Sequence, residues 1–192
     1  MNMGLFKKKI EMSQAVMIFV DSVMTDCKKS WSEVVDCITN NGFEINNLDE
    51  GYGAWVTGLL ALDTLHAHQI LDSKIADSIL KDVGYYFDYR IEKIKDWPLI
   101  LKEMYDFFCY SYFKNDEEYR KNPIPSNTPL LRTSMTVMLG IILGYKNITN
   151  TDSIPYNSPK TQKMFSEFFS IVLKSIGRWD KISKEYKVNW LV

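Results

Sequence analysis

The sequence has 192 residues, of which 46% are hydrophobic and 14% aromatic. This length predicts one folded domain at about 150 residues per domain, and the apolar content excludes a disordered chain. A net charge of −1 and a pI near 6.1 argue against a protein that coats nucleic acid, because such domains carry a basic excess. We therefore expect a single domain over residues 1–192 and no nucleic-acid partner.

The cysteines indicate a reducing compartment. Cys27, Cys37 and Cys109 form an odd set without a CxxC pair, so neither a disulfide framework nor a zinc ribbon is predicted. The lysines at Lys7–Lys9 are followed by an amphipathic segment that carries carboxylates, unlike the apolar core of a secretory signal. The expected location is the cytoplasm.

Charge is distributed unevenly along the chain. Residues 1–100 contain 10 basic and 15 acidic side chains, a net charge of −5, and residues 101–192 contain 13 and 9, a net charge of +4. Such a dipole could steer a charged partner toward the protein. Random placement of solvated surface charge accounts for the same numbers, since no segment reaches five or six like charges.

Helical periodicity begins in the first fifth of the chain. Between Ser13 and Lys29, apolar residues recur at helical spacing. Ser30 and Glu33 have the spacing of a capping box, which predicts a second, short helix that stops at Asn41-Gly42.

The segment from Tyr52 to Leu71 is apolar on nearly every side, so we expect it to be the central helix of a bundle. Its small residues Ala54, Gly58 and Ala61 share one side and should let a neighbouring helix approach closely. Asp72 or Ser73 is expected to cap the next helix.

Three proline-containing starts predict the later helices: Asp96-Trp97-Pro98, Thr128-Pro129 and Ser158-Pro159. The apolar run after Pro129 has polar residues near its start and lacks the roughly 20 apolar residues of a membrane span, so it predicts a core helix and no stable membrane insertion. Gly177 is expected to end or bend the last long helix. The aromatic tail that follows, with Trp179, Tyr186 and Trp190, should pack back on the body.

The predicted fold class is therefore all-α, a single-domain bundle of six to eight helices around a central apolar helix. Polar loops are expected near residues 40–50, 120–128 and 146–158. No alternation typical of a strand occurs with turn residues at both ends.

Asp63 and His66 are the candidate catalytic residues. Their i, i+3 spacing places a carboxylate and an imidazole on one side of the apolar helix. With Tyr86 or Tyr105 as a hydrogen-bond donor, they could form an acid/base pair in an aromatic pocket. A carboxylate-bridged metal site needs two such units, so no metal and no cofactor is predicted. The plainer interpretation is a core histidine bonded to Asp63 or to a backbone carbonyl.

Aromatic side chains form two clusters, Tyr85 to Tyr89 and Tyr105 to Phe113. The second holds six aromatic residues in nine, more than one helix stripe can bury. A second aromatic side is typical of a partner-binding surface, although another helix of the bundle could cover it. The candidate binding residues are Phe107, Tyr110, Phe113, Tyr86 and Tyr89.

The sequence contains two further candidate surfaces, one for DNA and one for a membrane. A helix-turn-helix over Ser13–Ile38 is disfavoured, because its second helix carries Glu33 and Asp36. The segment Gly4–Ile10 could touch an anionic membrane surface but is too short to anchor the chain by itself.

These patterns favour a non-catalytic intracellular protein that acts by protein–protein interaction, such as an immunity or antitoxin-like neutraliser from a bacterium or phage. The predicted partner is a protein, and the oligomeric state stays open. The alternative is a small-molecule-binding or enzymatic bundle that uses Asp63 and His66.

Overall fold

Helices make up most of the chain in the computed structural model, which describes residues 7–91, 129–144 and 158–190. The helices are α1 (Met12–Asn40), α2 (Leu48–Ile70), α3 (Ser73–Ile91), α4 (Pro129–Ile142), α5 (Pro159–Ser175) and the short α6 (Arg178–Glu185). The all-α class is confirmed in its broad form. The count differs from the predicted six to eight: five helices in these ranges have 14 or more residues, and α6 is a short element of eight.

A two-stranded parallel sheet, which the sequence did not predict, joins two distant parts of the chain. Strand β1 (Lys8–Glu11) leads directly into α1, and β2 (Tyr186–Asn189) follows α6. Lys8 pairs with Tyr186 and Ile10 with Val188. Four residues are too few to display a period of two, and the pairing depends on residues 178 positions apart, so the prediction of no strand was wrong.

Helix α1 is continuous, whereas the sequence predicted a break at Ser30. The Ser30 hydroxyl donates to the Asp26 carbonyl at 2.8 Å and accepts from Trp55 Nε1 at 3.2 Å. It therefore bonds to the preceding turn and to α2 and does not cap a new helix. The capping box lies at the start of α1, where Glu11 and Gln14 bond to each other's backbone amides.

Helix α2 is the central helix, as predicted. Every residue from Gly53 to Thr64 is buried, and α2 packs against α1, α3, α4 and α6. The side chain of Asn47 caps it by accepting from the amides of Asp49 and Glu50. The polar loop predicted near residues 40–50 lies between α1 and α2.

Helix α4 approaches α2 closely at Gly58. A Cβ at this glycine would overlap the sulfur of Met138. Met138 is fully buried, as are Leu59 and Leu139 beside this contact. The prediction that the small residues of α2 admit a neighbouring helix is confirmed at this position.

We expect Gly58→Val to lower the free energy of unfolding by about 1–3 kcal/mol, because the added side chain displaces Met138 and separates two packed helices. Urea denaturation followed by circular dichroism measures the change. Adding Met138→Ala should recover part of the loss, since it clears the space that the valine needs. A double variant as unstable as the sum of the single variants would contradict this explanation.

The predicted capping residues and proline-containing starts of the other described helices are found at those positions. Asp72 Oδ1 accepts from the amide of Lys74 at 2.9 Å at the start of α3. Ser158 Oγ accepts from the amide of Thr161 at 3.1 Å, with Pro159 in the first turn of α5. Helix α4 begins at Pro129, as its threonine–proline pair predicted.

In the described ranges, no helix has both the length and the hydropathy required to cross a membrane. The helix predicted after Asp96-Trp97-Pro98 and the loop predicted near 120–128 lie outside the described residues. So does the loop predicted near 146–158, except for its last residue, Ser158. Buried side chains from all six helices and Ile10 of β1 contribute to one hydrophobic cluster.

Candidate functional site

The junction between α5 and α6 holds the buried charged groups of the described chain. Helix α5 ends at Ser175, and Gly177 has φ +97°, a left-handed conformation that glycine adopts without strain. Gly177 has no side chain with which to cap α6. Instead, Asp63 of α2 accepts from the Gly177 amide at 2.7 Å and from the Arg178 amide at 3.2 Å. A carboxylate from a distant helix thus caps α6 and complements its dipole.

The Arg178 side chain extends this contact to α1. Its Nη1 donates to Asp63 Oδ2 at 2.8 Å and to the carbonyl of Ser175, and its Nη2 donates to Asp26 Oδ2 at 3.0 Å. The guanidinium therefore ties α1, α2 and the end of α5 to α6. Asp26 is half-buried, whereas the side chains of Arg178 and Asp63 are 5% and 0% exposed.

Burial and charge act in opposite directions on Asp63. Burial raises the pKa of this carboxyl above its ordinary value of 3.8, and the hydrogen bond and charge of Arg178, with the amides of Gly177 and Arg178, offset part of that rise. The three groups that donate to Asp63, which are the Gly177 amide, the Arg178 amide and the Arg178 guanidinium, all belong to the protein itself. The carboxyl of Asp63 is thus occupied by contacts that hold the fold.

Apolar and aromatic groups surround the ion pairs. Trp179 is fully buried and stacks on Phe19 with ring centroids 4.7 Å apart, and Trp190 lies 6.3 Å from it. The predicted packing of the aromatic tail is confirmed. Cys27 is also buried here as a free thiol, and burial raises its pKa to about 12. The thiol therefore stays protonated at neutral pH and is not an activated nucleophile.

His66 contacts α6 through Asp180. Its Nε2 lies 3.4 Å from Asp180 Oδ2, and the two side chains are 26% and 48% exposed. The three hydrogen-bond donors to Asp63 come instead from the α5–α6 junction: the Gly177 amide and the amide and guanidinium of Arg178. The acid/base role of Asp63 and His66 stays a prediction, with the two residues directed to different partners.

The predicted aromatic binding residues are only partly described. Tyr86 on α3 is half-buried and packs against the hydrophobic cluster, whereas its neighbour Tyr85 is 79% exposed. Tyr89 belongs to α3, but its side chain is outside the described set. Phe107, Tyr110 and Phe113 also lie outside the described residues.

Sequence reasoning missed Arg178 and Asp26. Arg178 is one of four arginines in the chain and directly follows the glycine that ends a helix. That position suggests a residue at a helix start but names no partner. The partners lie 115 and 152 residues away, and only the crossing of the helices brings them together.

Among the described residues, no group of three or more His, Cys, Asp or Glu side chains is arranged to hold a metal ion. The described ranges thus define a helical protein in which a buried arginine pairs with two carboxylates at a helix junction. No family model, no curated protein and no solved structure matches the chain.

Proposed function

We propose that this chain is a non-catalytic binding protein that acts through protein–protein contact, in the manner of an immunity or antitoxin-like neutraliser. The proposal rests on the burial and the hydrogen-bond partners of Asp63. Its carboxylate is fully buried and accepts from Arg178 and from two backbone amides at the start of α6. A carboxylate held in this way serves the fold and is poorly placed to take a proton from a substrate.

The surface of α3 supplies a positive argument for a partner. Tyr85 is 79% exposed, the largest exposed fraction among the large hydrophobic side chains of the described chain. Tyrosine is enriched at the energetic centres of protein interfaces, because it combines a large apolar ring with a hydroxyl that accepts and donates. Lys81, one turn earlier on α3, is also exposed and could provide charged contacts around the ring.

Site-specific crosslinking in the source cells tests the proposal. A photoreactive phenylalanine derivative placed at position 85 should yield one discrete protein adduct. The same derivative at position 48 is the control, because Leu48 is also exposed, at 55%, but lies at the start of α2. Tyr85→Ala should weaken the affinity for the captured partner by at least about 1 kcal/mol.

His66→Gln separates the proposal from an enzymatic role. Under the proposal, this variant keeps the affinity for the partner captured at position 85. No adduct at position 85, or the same adducts at positions 85 and 48, would contradict the proposed contact. A catalysed reaction that His66→Gln abolishes would establish the enzymatic alternative in its place.

A further inference from the structure

Lysines distant in the sequence come together around the terminal sheet. Strand β1 pairs with β2, and α6 packs on β2. These elements and the residue before β1 carry six exposed lysines, here called the lysine cluster: Lys7, Lys8, Lys9, Lys181, Lys184 and Lys187.

The pairing of β1 with β2 places two of these charges side by side. Lys9 is the register partner of Lys187. Like charges on directly paired residues repel each other and destabilise a sheet. Among the described residues, neither lysine has a carboxylate oxygen within 4.0 Å.

The remaining lysines of the cluster border this pair. Lys7 Nζ donates to the carbonyl of Ser183 at 2.8 Å, which holds the start of β1 against α6. Lys181 and Lys184 are one turn apart on the exposed side of α6, whereas Trp179 and Ile182 are buried. The lysine cluster is therefore carried by two paired strands and a packed helix at the surface.

The acidic side chains nearby do not neutralise the lysine cluster. Residues 7–11 and 180–189 contain six lysines and three acidic residues, a net charge of +3, so the remainder of the chain carries −4. This net charge of +3 already counts Glu11, which accepts from Asn189, and Asp180, which lies beside His66. The positive charge is thus concentrated on one region of an otherwise acidic protein.

We propose that the lysine cluster docks the protein on the surface of an anionic phospholipid membrane. Several lysines near a surface suit the diffuse charge of lipid headgroups, because each ammonium acts as a point charge without a fixed bonding geometry. Docking at the lysine cluster is independent of the proposed protein contact at Tyr85.

The same region is less suited to nucleic acid. Its arginine, Arg178, is buried in ion pairs and has no exposed guanidinium to offer to a phosphate. Trp190 packs against the core near Trp179, so its ring is not presented as a platform for base stacking. Charge complementarity without these features favours a lipid surface.

Vesicle cosedimentation of the full chain tests the proposal. The protein should bind vesicles of phosphatidylcholine with about 30% phosphatidylglycerol and not phosphatidylcholine alone, and binding should fall as salt rises from about 0.1 to about 0.5 M. Lys9→Glu with Lys187→Glu should lower the partition coefficient at least about tenfold. The matched control, Lys74→Glu with Lys81→Glu on α3, changes the net charge equally at exposed positions and should change binding less than about twofold.

A second variant tests whether misfolding of the sheet, and not loss of charge, weakens vesicle binding. Lys181→Gln with Lys184→Gln alters only the exposed side of α6 and should also weaken vesicle binding, with an unchanged melting temperature. Failure of the unaltered protein to bind the anionic vesicles would overturn the proposal. An equal loss in the α3 control would overturn it too, as would tighter binding to duplex DNA than to the vesicles at the same salt.

Discussion

Replacing Arg178 with methionine should lower the free energy of unfolding by about 3–5 kcal/mol. The substitution leaves Asp63 fully buried without its cationic partner and removes the bond to Asp26. Methionine retains much of the side-chain volume, so the loss reports mainly on charge. Urea denaturation at neutral pH measures it.

Two variants isolate the buried charge. Lys181→Met on the same helix changes an exposed side chain and should alter stability by less than about 0.5 kcal/mol. Adding Asp63→Asn to Arg178→Met should recover much of the loss, because the amide oxygen can still accept from the Gly177 amide without carrying a charge. A double variant less stable than Arg178→Met alone would contradict an unpaired buried charge as the cause.

The loss in Arg178→Met should also depend on pH. Without the guanidinium, burial raises the pKa of Asp63 further above 3.8, since its main opposing influence is gone. A carboxyl with a raised folded-state pKa keeps its proton while the unfolded chain ionises, so stability is full below the unfolded pKa and falls as pH rises through the folded one. The deficit relative to the unaltered protein should therefore be smaller at about pH 4 than at about pH 7. An equal deficit at both values would show that Asp63 is not its origin.

Trp179→Ala should cost about 3–5 kcal/mol of unfolding free energy. The Trp179 ring is fully buried, stacks on Phe19 of α1 and lies 6.3 Å from Trp190, the residue after β2. Its removal leaves a cavity where α6 meets the body and takes away the apolar cover beside Arg178. Chemical denaturation gives the loss, and near-ultraviolet circular dichroism reports the disrupted aromatic packing.

The controls for Trp179 distinguish packing from hydrogen bonding. The indole Nε1 of Trp179 has no acceptor among the described residues, so Trp179→Phe forfeits no hydrogen bond there and should be clearly more stable than Trp179→Ala. Trp31→Ala removes a half-buried indole on α1 and should cost less than Trp179→Ala. If Trp179→Phe and Trp179→Ala were equally unstable, ring packing would not explain the effect.

Features set by neighbouring residues were predicted well. The caps at Asp72 and Ser158 and the helix start at Pro129 depend on side chains within one turn of the amides that they affect. Gly177 separates two helices because only a residue tolerant of positive φ fits there. Burial of α2 followed from its lack of a polar side.

Local chemistry misled at Ser30. The spacing of Ser30 to Glu33 matches a capping box. The helix can nevertheless continue when the serine hydroxyl donates to a carbonyl of the preceding turn and accepts a hydrogen bond from a neighbouring side chain. Asp26 and Trp55 supply those contacts, and Trp55 belongs to another helix. The capping signal was therefore overridden by packing that a single sequence does not display.

The candidate site could be predicted only in part. Asp63 was singled out for its position on the apolar helix, and the structure does place it at a buried charged junction. Its assigned partner was His66, the nearest suitable residue in sequence. The carboxylate instead bonds to Gly177 and Arg178, because α6 crosses α2 there and its free amides need an acceptor.

Helical periodicity and contacts within one turn were enough to predict the all-α class, the central position of α2 and most helix ends. Only the packing of distant elements accounts for the Asp26–Arg178–Asp63 ion pairs, the pairing of β1 with β2 and the concentration of lysines around it. The near-neutral composition therefore conceals a buried charge network and a basic surface region. Both arise from groups more than 100 residues apart, whose meeting depends on how the helices pack and not on any local pattern.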